Sequence, residues 1–165
     1  MRTNNTKAKL ARGETVLGLE IYSADPNLVD LAGVLGFDFV TLDIEHEPAD
    51  EVAVAYMIRA AEASGVTPVV RLHPDRASIL HYLDARAQGI QIPRVNSGAE
   101  VQAVVEGCFY YPEGKRTFYA VGPSGNYGVT GGNPADRAYA EAANRELLLT
   151  CMVEETEGMR NLEEI

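Results

Sequence analysis

Apolar positions along the chain alternate between two kinds of run. VLGLEIY at 16–22, FDFVTLDIE at 37–45, TPVVRL at 67–72, GIQIPRV at 89–95 and LLTCMVEE at 148–155 are short, rich in β-branched residues, and read as strands. Between them, apolar residues recur every three or four positions. That spacing predicts helices over 26–36, 49–65, 76–87, 98–111 and 135–147, and another beginning at 158. In PNLVDLAGVLG, residues Leu28, Leu31, Ala32 and Leu35 share one face; Pro26 suits the first helical turn and Gly36 the end. The polar opening segment, to about Glu14, reads as a short helix or arm. The stretch 112–134 is rich in Gly, Pro and Tyr, the kind of long irregular segment that is functional or mobile. RTFYAVG inside it is a candidate sixth strand.

Strand–helix alternation without a hairpin signal predicts parallel βα units. Nearly continuous apolar strands imply that both sheet faces are covered. A doubly wound sheet and a (β/α)8 barrel both fit. No G-x-G-x-x-G follows the first strand, which weakens a dinucleotide-binding sheet. Five strands and one candidate make about six βα units. The expectation is therefore a single partial barrel domain over 1–165, with its last two strands missing.

Composition narrows the function. The 165 residues are 46% hydrophobic and 23% charged, with a formal net charge of -10. Such acidity argues against nucleic acid and anionic membrane surfaces, which require a basic stripe. Cys108 and Cys151 form no disulfide framework and are expected to be buried thiols. The opening residues lack the apolar core of a secretory signal. No apolar run approaches the roughly 20 residues of a membrane span. The expected location is cytoplasmic.

In parallel βα folds, chemistry sits at the C-terminal ends of the strands. Asp43, Glu45 and His46 fall at that end of the second strand, in TLDIEHEP, and Arg71 at the end of the third. Arg94 and Asn96 close the fourth, and Glu154 and Glu155 close the last. Each has a plain reading as an ion-pair or capping residue, and Asp84 as a solvated helix residue; their convergence on one rim favours a site. Carboxylates, a histidine and an arginine support metal-assisted proton chemistry beside a carbonyl. Ser124, in GPSGNYG, lacks the preceding strand that a nucleophile elbow needs.

LDIEH after GFDFV, then PVVRL, LDARAQGIQIPRVNSGAEV, YYPEGKR and MVEETEGMRNL resemble the metal-dependent class II 2-keto-acid aldolases of the HpcH/HpaI family, in order and spacing, over about residues 10–165. The resemblance implies a (β/α)8 barrel that cleaves or forms 4-hydroxy-2-keto acids from pyruvate and an aldehyde. It implies His46 as catalytic base, Asp84 as the partner fixing its imidazole, and Arg71 as the contact to the keto oxygen and enolate. It implies Glu154 as one of two carboxylate ligands to Mg, Mn or Co, with Asp43 and Glu45 in supporting roles. Met152 stands at a substrate-binding position where the family usually has Gln. RTFYAVG replaces a Gly-rich RGVG, so specificity is expected to differ. The second metal carboxylate belongs to a motif expected beyond Ile165, and the chain stops within a helical pattern, so a longer aldolase is expected. A homo-oligomer, by resemblance a hexamer, is implied. The alternatives are a citrate-lyase-like or decarboxylating relative, and a non-catalytic partial barrel acting as an interaction module.

Overall fold

A computed structural model describes residues 2–47, 49–129 and 137–165. Pro48, the 130–134 part of the irregular segment and the first two positions of the helix predicted over 135–147 lie outside the described residues. The elements run α1 (Asn5–Ala11), β1 (Gly18–Ile21), α2 (Pro26–Val34), β2 (Phe39–Asp43), α3 (Glu51–Ser64), β3 (Thr67–Arg71), α4 (Arg76–Asp84), β4 (Gly89–Ile92), α5 (Gly98–Cys108), α6 (Arg137–Glu146), β5 (Leu148–Cys151) and α7 (Thr156–Arg160). Five helices start on side-chain caps: Asn4 accepts from Lys7 N–H, Asp25 from Asn27, Asp50 from Ala53, Asp75 from Ser78 and Ser97 from Glu100. Gly65 ends α3 at φ 83°, a left-handed conformation that costs glycine nothing.

The strands pair in parallel and in sequence order, β1-β2-β3-β4-β5. A doubly wound sheet would reverse direction at a switch point; this order is that of a barrel wall. Period-two alternation splits each strand cleanly. Ile21, Val40, Leu42, Val70, Ile90 and Ile92 join the apolar core with Val29 and Ala32 of α2, Val54, Ile58 and Ala61 of α3, and Ile79 and Leu83 of α4. The opposite face carries two registered rows, Glu20–Thr41–Val69–Gly89–Leu148 and Asp43–Arg71–Gln91–Thr150. It is the interior side of the wall, and it turns polar towards the strand ends.

The opening segment has a structural task. Asn4 and Thr6 are fully buried and hold the N-terminal ends of the strands. Asn4 Nδ2 donates to the carbonyls of Gln88 (3.0 Å) and Glu146 (3.0 Å). Thr6 Oγ1 donates to the Asp38 carbonyl (2.9 Å) and lies 2.8 Å from Thr67 Oγ1. Residues 2–11, expected within a short helix or arm, thus include the helix α1 and bridge the starts of β2 to β5.

Two expectations need correction. Residues 116–122 form no strand, so the described residues hold five strands rather than six, and β5 is the fifth. The Arg116 side chain is buried against Asp84 (3.0 Å) and lies over the Tyr110 ring. Phe118 stacks edge-on to Tyr139. These side chains serve an aromatic cluster instead of a ladder. Cys108 is buried, and burial pushes its thiol up to about 12, but Cys151 is only half-buried. No described helix is long and apolar enough to cross a membrane.

Asn4→Ala removes the side-chain donor shared by the Glu146 carbonyl and the Gln88 carbonyl, the latter keeping only the Leu148 N–H. We expect it to lower unfolding free energy by about 2–3 kcal/mol, read as a shift in the urea midpoint at unchanged slope. Asn4→Asp should cost more, because an acceptor would then face two carbonyls.

Candidate active site at the strand ends

β2 ends on Asp43, a residue 2% exposed whose side chain does two things. Its carboxylate receives a two-pronged contact from Arg71 at the end of β3: Nε to Oδ1 at 3.0 Å and Nη2 to Oδ2 at 2.6 Å. Oδ1 also accepts the backbone N–H groups of Glu45 (3.0 Å) and His46 (3.4 Å). That local capture turns the chain off the strand and sets the positions of Glu45 and His46. Burial alone would raise the Asp43 carboxyl. The Arg71 guanidinium and the two backbone donors outweigh it and hold the group below the usual carboxylate range. Reciprocally, the hydrogen bond to Asp43 raises Arg71, against the opposing effect of burial.

Three further groups complete the rim. Glu20, on β1, lies 2.8 Å from Arg71 Nη1. Glu45 is nearly buried. Its Oε2 sits 3.6 Å from His46 Nε2 and 3.9 Å from Arg71 Nε, and its Oε1 sits 3.4 Å from Arg94 Nη2. Arg94 Nη2 also lies 3.4 Å from His73 Nδ1. The Arg94 backbone adopts φ +53°, left-handed for a non-glycine residue, and its N–H donates to Glu154 Oε2 at 2.9 Å. A continuous chain of contacts therefore links Glu20, Arg71, Glu45, Arg94 and Glu154, with His46 at its side. The His46 side chain is 66% exposed and open to a ligand.

The remaining candidates fall differently. Glu155 Oε2 accepts from Asn96 Nδ2 (2.8 Å), and Asn96 Oδ1 accepts the N–H of Gly158 (2.9 Å). These two residues fasten α7 to the loop after β4. Met152 follows β5, and its backbone continues the pairing with Ile92 and Val95. Asp84 ends α4, which runs away from the rim towards the start of β4. There its carboxylate meets Arg116 (3.0 Å) and Ser124 Oγ (3.2 Å). The described chain therefore forms no contact between Asp84 and His46; Glu45 is the carboxylate beside the imidazole. Ser124 is a partner of Asp84.

Sequence reasoning passed over Glu20 and His73. Glu20 is the only charge within VLGLEIY, and a charge inside an apolar strand was the available signal. His73 follows the end of β3 by two residues and carried no such mark.

A hard divalent cation suits carboxylate oxygens. Glu154 offers such oxygens, with Oε2 already accepting one N–H. No group of three or more His, Cys, Asp or Glu that could hold a metal occurs among the described residues. Glu154 would be one carboxylate ligand of such a cation.

The sequence profile of the HpcH/HpaI aldolase/citrate lyase family matches residues 17–165. The chain is 31% identical over 164 residues to the hydroxypyruvate/pyruvate aldolase of Roseobacter denitrificans, covering 98% of this chain and 62% of that protein. It is 33% identical over 163 residues to the enzyme of the same name from Sagittula stellata, with the same two coverages. The chain thus spans about 62% of the length of these relatives. Among solved structures, an HpcH/HpaI aldolase from Desulfitobacterium hafniense superposes with TM-score 0.85 at 26% identity, over 96% of this chain and 60% of that one. Citrate synthase SbnG gives TM-score 0.83 at 31% identity, over 96% and 59%.

Asp43→Asn removes one partner of a buried ion pair and should destabilise the fold by about 3 kcal/mol. The native pair contributes fully above the unfolded-state pKa of ~3.9, and that contribution is lost as pH falls through the lower folded-state value. Urea titrations across this acid range should show a shallower pH dependence in the variant.

Proposed function

Because the chain belongs to the HpcH/HpaI aldolase/citrate lyase family, we propose that the protein is an aldolase that cleaves or forms 4-hydroxy-2-keto acids, with pyruvate or hydroxypyruvate as the keto-acid half. The observation that carries this reading is the rim network running from Glu20 through Arg71, Glu45 and Arg94 to Glu154, with His46 exposed beside it.

The residues divide the work by what each atom can donate or accept. Arg71 has five N–H donors; Asp43 takes two and Glu20 one, Tyr22 also stands against the guanidinium, and what remains can meet the keto oxygen of a substrate. Asp43 and Glu20 hold the guanidinium still, so its charge is already in place when the keto oxygen becomes an enolate oxygen. His46, as neutral imidazole, takes the proton from the 4-hydroxyl. The electron pair of the bond between carbons three and four then moves to carbon three and the keto oxygen. The aldehyde departs, and the enolate takes a proton at carbon three from the His46 imidazolium, which restores the neutral base. Glu45 stands beside the imidazole and stabilises its protonated form. Glu154 would hold Mg, Mn or Co, and such a cation, when bound, supplies positive charge against the keto acid's oxygens.

The likeness to a citrate synthase at 31% identity supports a second reading, in which the same enolate serves citrate-type carbon–carbon chemistry. A substrate panel of hydroxy-keto acids, oxaloacetate and acyl-CoA thioesters separates the two.

The primary test is pyruvate release from 4-hydroxy-2-keto acids. Activity should vanish with EDTA and return with Mg, Mn or Co. His46→Ala should lower kcat by about 100-fold or more, the usual worth of a general base. Undiminished turnover in His46→Ala, or indifference to EDTA, would refute the assignment.

A further inference from the structure

A groove of about 350 Å³ opens between helices α3 and α4, on the helical layer outside the sheet. None of the residues lining it belongs to the rim network. Its size suits a small organic molecule.

The groove offers a cation towards one end and acceptors towards the other. The Arg59 guanidinium lies over the Tyr56 ring, 5.4 Å from its centre. Among the described residues it forms no ion pair or hydrogen bond. The chain has 24 acidic and 14 basic residues, so carboxylates are in excess, and yet none has claimed this group. Stacking restrains the guanidinium and leaves its donors unspent. Glu51 sits about two turns earlier on α3, roughly 12 Å along the helix axis. Its Oε1 lies 3.1 Å from His81 Nδ1 of α4. Facing an ionised carboxylate, Nδ1 carries the ring proton, so in the neutral imidazole Nε2 is an acceptor beside the free Oε2 of Glu51. Tyr82 lines the groove although it is only 4% exposed. Its hydroxyl has no hydrogen-bond partner among the described residues, so a nearly buried polar group meets the groove unpaired. Burial, with the nearby Glu51 and Asp50 carboxylates, pushes its phenol up and keeps it a donor. Ala55 and Ala85 line the groove beside the two tyrosines, and their small side chains leave room for a flat ring against Tyr56 and Tyr82.

We propose that the α3–α4 groove is a binding site for a flat aromatic anion, with the acidic group on Arg59 and a ring hydroxyl or amino group on Glu51 and His81. Arylcarboxylates and nucleoside monophosphates share this chemistry. The site is separate from the rim and does not depend on the aldolase reading.

Two probes test the site on the whole chain, 4-aminobenzoate for the carboxylate and adenosine 5′-monophosphate for the phosphate. Each is titrated by calorimetry, and the ring protons of His81 and Tyr82 are followed by NMR. At least one probe should bind saturably and shift these rings, and the one that does identifies the acidic group the site takes. Arg59→Gln, an exposed change, should weaken that probe about tenfold or more, the worth of a charge-assisted hydrogen bond. Tyr82→Phe keeps the ring and its packing and should weaken it about fivefold, the worth of a neutral hydrogen bond. An excess of pyruvate should leave the affinity unchanged, because the rim lies elsewhere. Failure of both probes to bind, undiminished affinity in Arg59→Gln, or displacement of the probe by pyruvate would each overturn the site, whatever the protein does to 4-hydroxy-2-keto acids.

Discussion

Asp43 and Arg71 meet across the β2–β3 pair with both charges buried, and the rim is organised around that contact. Neither group could be taken out of water alone, because an unpaired buried ion costs several kcal/mol. The register that pairs Asp43 with Arg71 in the sheet places the carboxylate and the guanidinium side by side. The same carboxylate then captures the N–H groups of the next turn and so fixes Glu45 and His46. One oxygen atom thereby joins strand pairing, loop geometry and the position of the proposed base. Glu20 balances the other side of the guanidinium and limits its freedom to rotate.

The two ends of the wall are specialised differently. At the starts of the strands, Asn4, Thr6, Thr67 and the carbonyls of Asp38, Gln88 and Glu146 close on one another, and the charges there are tied locally, Lys9 to Asp38 and Glu146 to the Asn4 N–H. At the other ends, carboxylates alternate with guanidinium groups. The apolar layer of Val40, Leu42, Val70 and Ile90 beneath the helices joins the two. The contrast follows the general division of barrels into a stabilising face and a chemical face.

Much of this was legible in the sequence. The β2 to β4 runs are almost wholly apolar and bounded by Gly, Pro or charge, so their existence and parallel order could be read. Their ends were less clear. β4 stops at Ile92 because Pro93 cannot donate to a ladder, and β5 stops at Cys151 although the apolar run continues to Val153. RTFYAVG looked like a strand because it is aromatic and apolar. Its arginine has a buried partner in Asp84, a long-range contact that no local pattern encodes. Residues at strand ends were identifiable because topology alone carries them to one rim. Glu20 needed a reading of which strand face is interior, and Asp84 needed the direction in which α4 runs.

The bonds from Asn4 to Gln88 and Glu146 span sequence separations of 84 and 142 residues. During synthesis this segment is made before β4 and α6, which form its seat. It therefore settles only after they do, and until then its apolar and polar faces are both exposed to chaperones and proteases.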